Sequence, residues 1–538
     1  MLKASVLAAT LLLATAPLAH ASGQWEIKKL SWSDTDERNF GNFITSIAES
    51  GCRNVDSCLK SPANPYRGTD SPSAKFVSDC GRFPFLLRTY FAWKNNLPMS
   101  VVSGVKAVDG LGHDLRYSPR GNYATSRKDL IQRSANSPLS GMDGIRQVMS
   151  AVNTSIYRYN AERDQASGLF FDFVPAGINR TSVKPGTVIY DANGHAAMVY
   201  KVETDGRVRF IDAHPDNSVT RSVYGEKFAR SSPNSGGGFK NFRPLQLTGA
   251  TRLANGNYVG GRITTVPMPT LSTFSMEQYY GNEPNIDKNY KKARFSKGGQ
   301  ILGFYDWVRS SLAVGDLRYH PVEEMLNGMD TLCSDIKDRV AAVDDAITNG
   351  IADKSQPYEL PDNIYGTSGE WESYSTPSRD ARLKTSFREL RTEVQRYVEL
   401  YRSGSPRIDY QGADLVGDLR SSYERAANAC VIRYTRTDKS VVELTYSHIA
   451  LRLFDLSFDP YQCAELRWGA SDPTELATCR DGDTKHAWYT AEKNLRNQLD
   501  RAYDVKMGFT LDQLRRQVPG SGVATPPDID LRGYLYSL

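Results

Sequence analysis

Long apolar runs are missing from this sequence after residue 21: nothing there approaches the ~20 consecutive apolar residues that a membrane-spanning helix needs. A dominant sign of charge is missing too. The 66 Lys and Arg against 61 Asp and Glu leave only +5 on 538 residues, interspersed rather than in runs, so neither a nucleic acid nor a membrane surface is the expected partner. There is no internal repeat of fixed period and no low-complexity block. Histidine and cysteine are scarce, at seven each, which confines any imidazole or thiol chemistry to a handful of positions.

What stands at the N-terminus is a basic Met1-Leu2-Lys3, an apolar run from Ala4 to Leu18 and an A-x-A ending, Ala19-His20-Ala21. That is the pattern of a secretory signal, so residues 1–21 are set aside and the mature chain, starting near Ser22, is expected in the periplasm or outside the cell. The remaining 517 residues (538 minus 21) exceed one hydrophobic core, since cores stop growing at roughly 250 to 300 residues. In an oxidising compartment cysteines tend to pair. Cys52 with Cys58, Cys463 with Cys479 and Cys333 with Cys430 would use six and leave Cys80 alone, although spacing does not fix connectivity. A leftover cysteine is either a reactive thiol or a small buried hydrophobe.

Two regions follow from the periodicity. Residues 22 to about 75 read as loops around a short helix near Phe40 to Ile47. From Phe83 the apolar Leu86, Leu87, Tyr90 and Phe91 recur at helical steps up to Asn95-Asn96, and Val101, Val102 and Val105 suggest a strand. The runs Val188-Ile189-Tyr190, Ala197 to Val202 and Val208 to Ile211, separated by turn residues, predict an antiparallel meander. Beyond about residue 270 the pattern turns helical, with stripes from Met325 to Ile347, from Phe387 to Tyr401 and at Leu495, Leu499 and Ala502. Ser355 to Arg379 reads as a long exposed loop. The expectation is an α+β domain over 22–268 and a mostly α-helical domain over 269–538.

A thiol becomes a nucleophile for acyl carbon when a helix N-terminus or a neighbouring imidazole favours its thiolate. Cys80, in Ser78-Asp79-Cys80-Gly81, stands directly before the predicted helix, where unpaired amides gather. His195 heads one strand of the meander and Asp212 ends the next, so an antiparallel pairing could bring the carboxylate to the ring and fix its tautomer. His214, two residues on, shares the Asp212 face and could replace it or join it on a metal. Two ligand types are too few for zinc, so no metal and no cofactor is expected. Gly236 to Gly238 lack a following Lys-Ser/Thr and read as a mobile loop rather than a phosphate cradle. Trp468 and Trp488 could stack on sugars, but aromatics at helical spacing more often belong to a core.

At these residues the sequence resembles the NlpC/P60 family of papain-like cysteine peptidases. The pieces are Pro65 to Pro72, Ser78-Asp79-Cys80-Gly81, Lys184 to Tyr190, Gly194-His195-Ala196-Ala197-Met198-Val199 and Phe210-Ile211-Asp212-Ala213, in the family's order. The resemblance implies a papain-like N-terminal domain with a nucleophile helix against an antiparallel sheet, Cys80 as nucleophile, His195 as base, Asp212 as orienting acid and Tyr66 as a contributor to the oxyanion site. It also implies an amidase or endopeptidase acting on a peptide or peptidoglycan substrate. Departures are Arg82 after Cys80-Gly81, where the family's Ser is missing, Thr187 in place of Asp, and an insertion over roughly 106–180. Pro84 fits only a helix's first turn. Asn96-Leu97-Pro98 to Gly104 looks instead like transglutaminase-like proteins, which assign the same three residues and differ in the acyl acceptor. A catalytically idle scaffold, binding through its helical half, is the reading from another class.

Overall fold

The computed structural model describes residues 23–538 except 111, 113, 164–168, 367 and 368; the expected secretory signal lies outside the described residues. Helices and antiparallel strands are mixed in the order the α+β expectation requires. Helix α1 (Asp34–Glu49) opens on a capping box in which Ser33 and Asp36 serve each other's backbone amides. It is followed by α2 (Val55–Lys60) and by α3 (Phe83–Lys94). Pro84 falls in the first turn of α3, where its missing N–H costs nothing. The sequence suggests a helix with one apolar face, yet every residue from Phe83 to Trp93 is buried. Such a helix is central rather than peripheral, and Phe85→Ala should destabilise by roughly 3–5 kcal/mol.

The region between α3 and the sheet holds a hairpin, β1 (Met99–Ala107) with β2 (Asn122–Leu130), and α4 (Gly141–Ala151). Six strands follow in one sheet: β3 (Phe173–Pro175), β4 (Val188–Asp191), β5 (His195–Val202), β6 (Val208–Ala213), β7 (Val219–Val223) and β8 (Gly238–Phe242), in the spatial order β3-β8-β4-β5-β6-β7. The meander β4 to β7 is antiparallel throughout. Side chains alternate between its faces. Val188, Tyr190, Ala196, Met198 and Ile211 join the core built on α1 and α3, whereas Ile189, Ala197, Val199, Val208 and Phe210 form a second core with Trp307, Val308 and Leu312.

Those last three belong to α6 (Phe304–Leu312), so the change of organisation expected at residue 269 comes after Leu312: an apolar helix face packs on the sheet because the second sheet face needs a cover. The intervening one-turn helix α5 (Glu277–Tyr280) closes the sheet near β8, where the Gln278 side chain accepts from the Phe239 amide and donates to the Ala176 and Phe239 carbonyls. The glycines 236–238 lead into β8 against Tyr159, Lys240 and Gln278 rather than forming a free loop.

The C-terminal half is built on α7 (Pro321–Thr348) and α9 (Pro377–Arg402), crossed by α10 (Leu415–Ala429). It also contains a hairpin of Val431–Thr435 with Val441–Thr445, which the helical expectation omits. The stripe at Leu495, Leu499 and Ala502 yields only the short helix Lys493–Asn497. The segment 355–379 is not an exposed loop: it carries α8 (Gly369–Tyr374), and Leu360, Ile364 and Trp371 are buried in a separate cluster. Among the described residues no helix is long and apolar enough to cross a membrane. Cys52–Cys58, Cys333–Cys430 and Cys463–Cys479 are disulfides, and Cys80 is free.

Candidate active site

Between β4 and β5 the chain reverses over Asp191 to His195, with the Gly194 amide donating to the Asp191 carbonyl at 2.9 Å. Gly194 has φ +91°, and a Cβ there would sit 2.8 Å from the Tyr117 hydroxyl, so both backbone and space demand glycine. The turn delivers His195 as the first residue of β5. From β6, Asp212 meets the ring: Nε2 and Oδ2 are 2.6 Å apart, and both residues are buried. Thr220, paired with Asp212 across β6 and β7, donates its hydroxyl to the other carboxylate oxygen. The His214 ring stacks on that of His195 at 5.7 Å between centroids and meets the Thr220 hydroxyl at 3.0 Å.

Cys80 reaches the same place from the side of α3. Its Sγ lies 3.8 Å from the Gly194 carbonyl and accepts from the Ala196 amide, the two backbone groups that flank His195. The structure closes no hydrogen bond between Sγ and the ring. Nδ1, the ring nitrogen not engaged by Asp212, has no partner among the described residues. The Tyr157 hydroxyl donates to the Gly81 carbonyl at 2.7 Å and fixes the loop from below, while the amides of Cys80 and Gly81 donate to nothing among the described residues.

The electrostatics differ from the sequence expectation. Cys80 precedes the helix, but Asp79 occupies the helix start: its carboxylate accepts from the Arg82 amide at 2.8 Å and pairs with the Arg82 guanidinium. Burial and then the Asp79 charge push the Cys80 thiol up to about 12, against the Ala196 amide and Arg382. Burial and the Arg382 guanidinium push the His195 ring below the ordinary imidazole value, and Asp212 does not reverse this. Burial would raise the Asp212 carboxyl, but His214, His195 and Thr220 outweigh it and hold it well below the usual carboxylate range. The resting pair is therefore a neutral thiol beside a neutral imidazole, with an ionised carboxylate behind the ring.

Tyr66 is elsewhere. Its ring packs on Phe43 and Phe91 and its hydroxyl donates to Asn95 at 3.4 Å, at the C-terminal end of α3 and so about 18 Å along the helix from its first residue, Phe83, at 1.5 Å per residue. It does not contribute an oxyanion donor. Thr220 was missed by the sequence reading, although the β-branched run Val219 to Val223 after Asp216-Asn217 is a signal for one more strand. Arg382, on α9, shares a small cavity with His195, Asp212 and His214 and lies 3.9 Å from Asp191; no local pattern marks it. Among the described residues the one cluster with ligand spacing is Cys463, Cys479 and Asp481, whose two sulfurs are bonded to each other.

No protein family, curated protein or solved structure matches the chain.

Proposed function

We propose that the chain is an exported thiol hydrolase of papain-like fold, an amidase or endopeptidase on cell-wall peptides, with Cys80 as nucleophile, His195 as base and Asp212 as the group that holds the ring. One observation carries the proposal. The only free cysteine among the described residues rests on the two backbone groups that flank a histidine whose far nitrogen is held by a buried carboxylate. Because the thiol rests neutral, attack and proton removal go together: His195 Nδ1 takes the proton as sulfur adds to the acyl carbon, and Asp212 stabilises the imidazolium that forms. The contact between Nδ1 and Sγ closes with substrate bound, as catalytic hydrogen bonds often tighten only then. The free amides of Cys80 and Gly81 are the nearest donors for an oxyanion. The imidazolium then protonates the leaving amine, and water resolves the acyl-enzyme.

Peptidoglycan incubated with the mature protein should yield new muropeptides, and Cys80→Ala should lower the rate a thousandfold or more. As the pH falls, activity should persist below about 6.5, the ordinary imidazole value, and be lost only through the lowered pKa of His195. Amine incorporation into a glutamine donor without cleavage would move the assignment to acyl transfer. One feature favours a binding scaffold instead: the thiol is pushed up and the helical half covers the cavity into which the ring faces. Silence in both assays with an intact fold would select it.

A further inference from the structure

A cavity of about 330 Å³ between the halves is bounded by the end of β7, α6, α7 and α9. That volume falls in the range of small-molecule sites. Five carboxylates line it, Glu226, Asp306, Glu324, Glu389 and Glu393. Four have a guanidinium within reach: Glu226 has Arg388, Asp306 and Glu393 have Arg396, and Glu324 has Arg309. The lining cation Lys227 is taken by Asp335 at 3.0 Å and Arg207 by Asp205 at 2.7 Å. Glu389 has no cation at ion-pair distance among the described residues. Its Oε1 accepts the Glu226 amide at 3.1 Å, and the carboxylate approaches so closely that a Cβ at Gly225 would lie 2.4 Å from it.

A second, independent observation points the same way. Ser386, one turn before Glu389 on α9, also lines the cavity, is only 8% exposed, and its hydroxyl has no hydrogen-bond partner. A buried hydroxyl without a partner costs free energy that a ligand would recover. Apolar walls stand opposite: Tyr224 and Tyr305 lie 5.9 Å apart between ring centroids, and Phe304 packs on Tyr305 at 5.3 Å. Aromatic faces beside an uncompensated carboxylate are the features that recognise an organic cation.

We propose that this cavity is a binding site for a small organic ammonium ion, its amine seated on the Glu389 carboxylate and the Ser386 hydroxyl and its carbon body against Tyr224, Phe304 and Tyr305. The ligand would bridge the two halves, since the rings come from the sheet half and the polar anchors from α9. Burial and the Glu226 charge raise the Glu389 carboxyl to about 7, a cost that a bound ammonium relieves.

The test is calorimetric titration of the full chain with 2-phenylethylamine and with its neutral counterpart 2-phenylethanol. Saturable binding of the amine is expected, with the alcohol and the Glu389→Gln variant each weaker by about tenfold or more, one charge-assisted contact being worth about that factor. Ser386→Ala should weaken the amine several-fold and serves alone if Glu389→Gln does not fold. Absence of amine binding, equal affinity for amine and alcohol, or full affinity in both variants would overturn the proposal.

Discussion

The sheet half and the helical half are held together differently, and the difference locates the candidate site. Each half keeps its own apolar cores: the two sheet cores draw on residues up to Leu312, and the two large helical clusters begin after it. What joins the halves is polar. Lys227 meets Asp335 at 3.0 Å, Arg501 donates to the Lys227 carbonyl and lies 3.6 Å from Asp191, and Arg379 lies 3.7 Å from Asp216. Tyr117 adds stacked contacts across the halves, on Tyr503 at 3.6 Å and on Tyr365 at 5.6 Å between centroids. An interface of that composition resembles a transient protein–protein contact, and the His195 cavity lies in it. Packing gives each half its shape, and charge decides how the halves meet over His195 and Asp212.

The sharpest way to break the comparison is through the disulfides. Cys333–Cys430 closes 97 residues around the helical core, whereas Cys52–Cys58 closes six in the sheet half. On the chain-entropy scale the first is worth about 4–5 kcal/mol and the second about 2. Replacing Cys333 and Cys430 by Ala should melt the helical half first and leave the sheet half folded, giving two calorimetric transitions. A single cooperative transition shifted as a whole would show that the halves do not unfold separately.

A smaller effect probes the interface itself. Asp338, on α7, lines the His195 cavity, and burial together with the Asp335 charge raises its carboxyl to about 7. A raised folded pKa favours the fold while the group is protonated in both states, and that support drains away as the pH rises from the unfolded value of about 4 to about 7. Asp338→Asn should therefore match wild type in stability below pH 4, gain on it up to pH 7, and keep a constant advantage above. Chemical denaturation at a series of pH values reads this directly, and a variant less stable at pH 8 would refute it.

The same contrast explains what the sequence disclosed. The meander, its turns and the pairing of His195 with Asp212 were legible because they rest on local alternation and turn residues within one short stretch. Two disulfides were suggested by their short spacing, six and sixteen residues, and Cys333–Cys430 only as the remaining pair, since the count itself allows many connectivities. Tyr66 was misplaced because the residues before Cys80 match a motif while the chain between them runs to the other end of α3. The electrostatics of Cys80 differ from the expectation because the thiol is buried and, after that, because Asp79 fills the helix start it was expected to use. Arg382 lies 187 positions from His195 in sequence and shares a cavity with it only through tertiary packing, α9 lying on α7 and α7 on β7, which no local pattern encodes.

The smallest predicted effect tests that long-range contribution at the thiol. With its pKa raised to about 12, Cys80 should react with neutral iodoacetamide at pH 7.5 more slowly than an unfolded cysteine, and the rate should keep climbing well above pH 9. This is the reverse of what a free helix N-terminus would give. Arg382 acts on the sulfur as well as on the ring, so against the opposing Asp79 charge it should raise the preference for the anionic reagent iodoacetate over the neutral one. Arg382→Gln should reduce that preference about two- to fivefold, the size expected for one charge acting across several ångströms of partly screened protein. Lys354, paired with Glu370 on the surface, supplies the control: Lys354→Gln should leave the ratio unchanged. A fast thiol at neutral pH would show that the resting pair is ionised, and an Arg382→Gln ratio equal to wild type would remove the helical half from the proposed site.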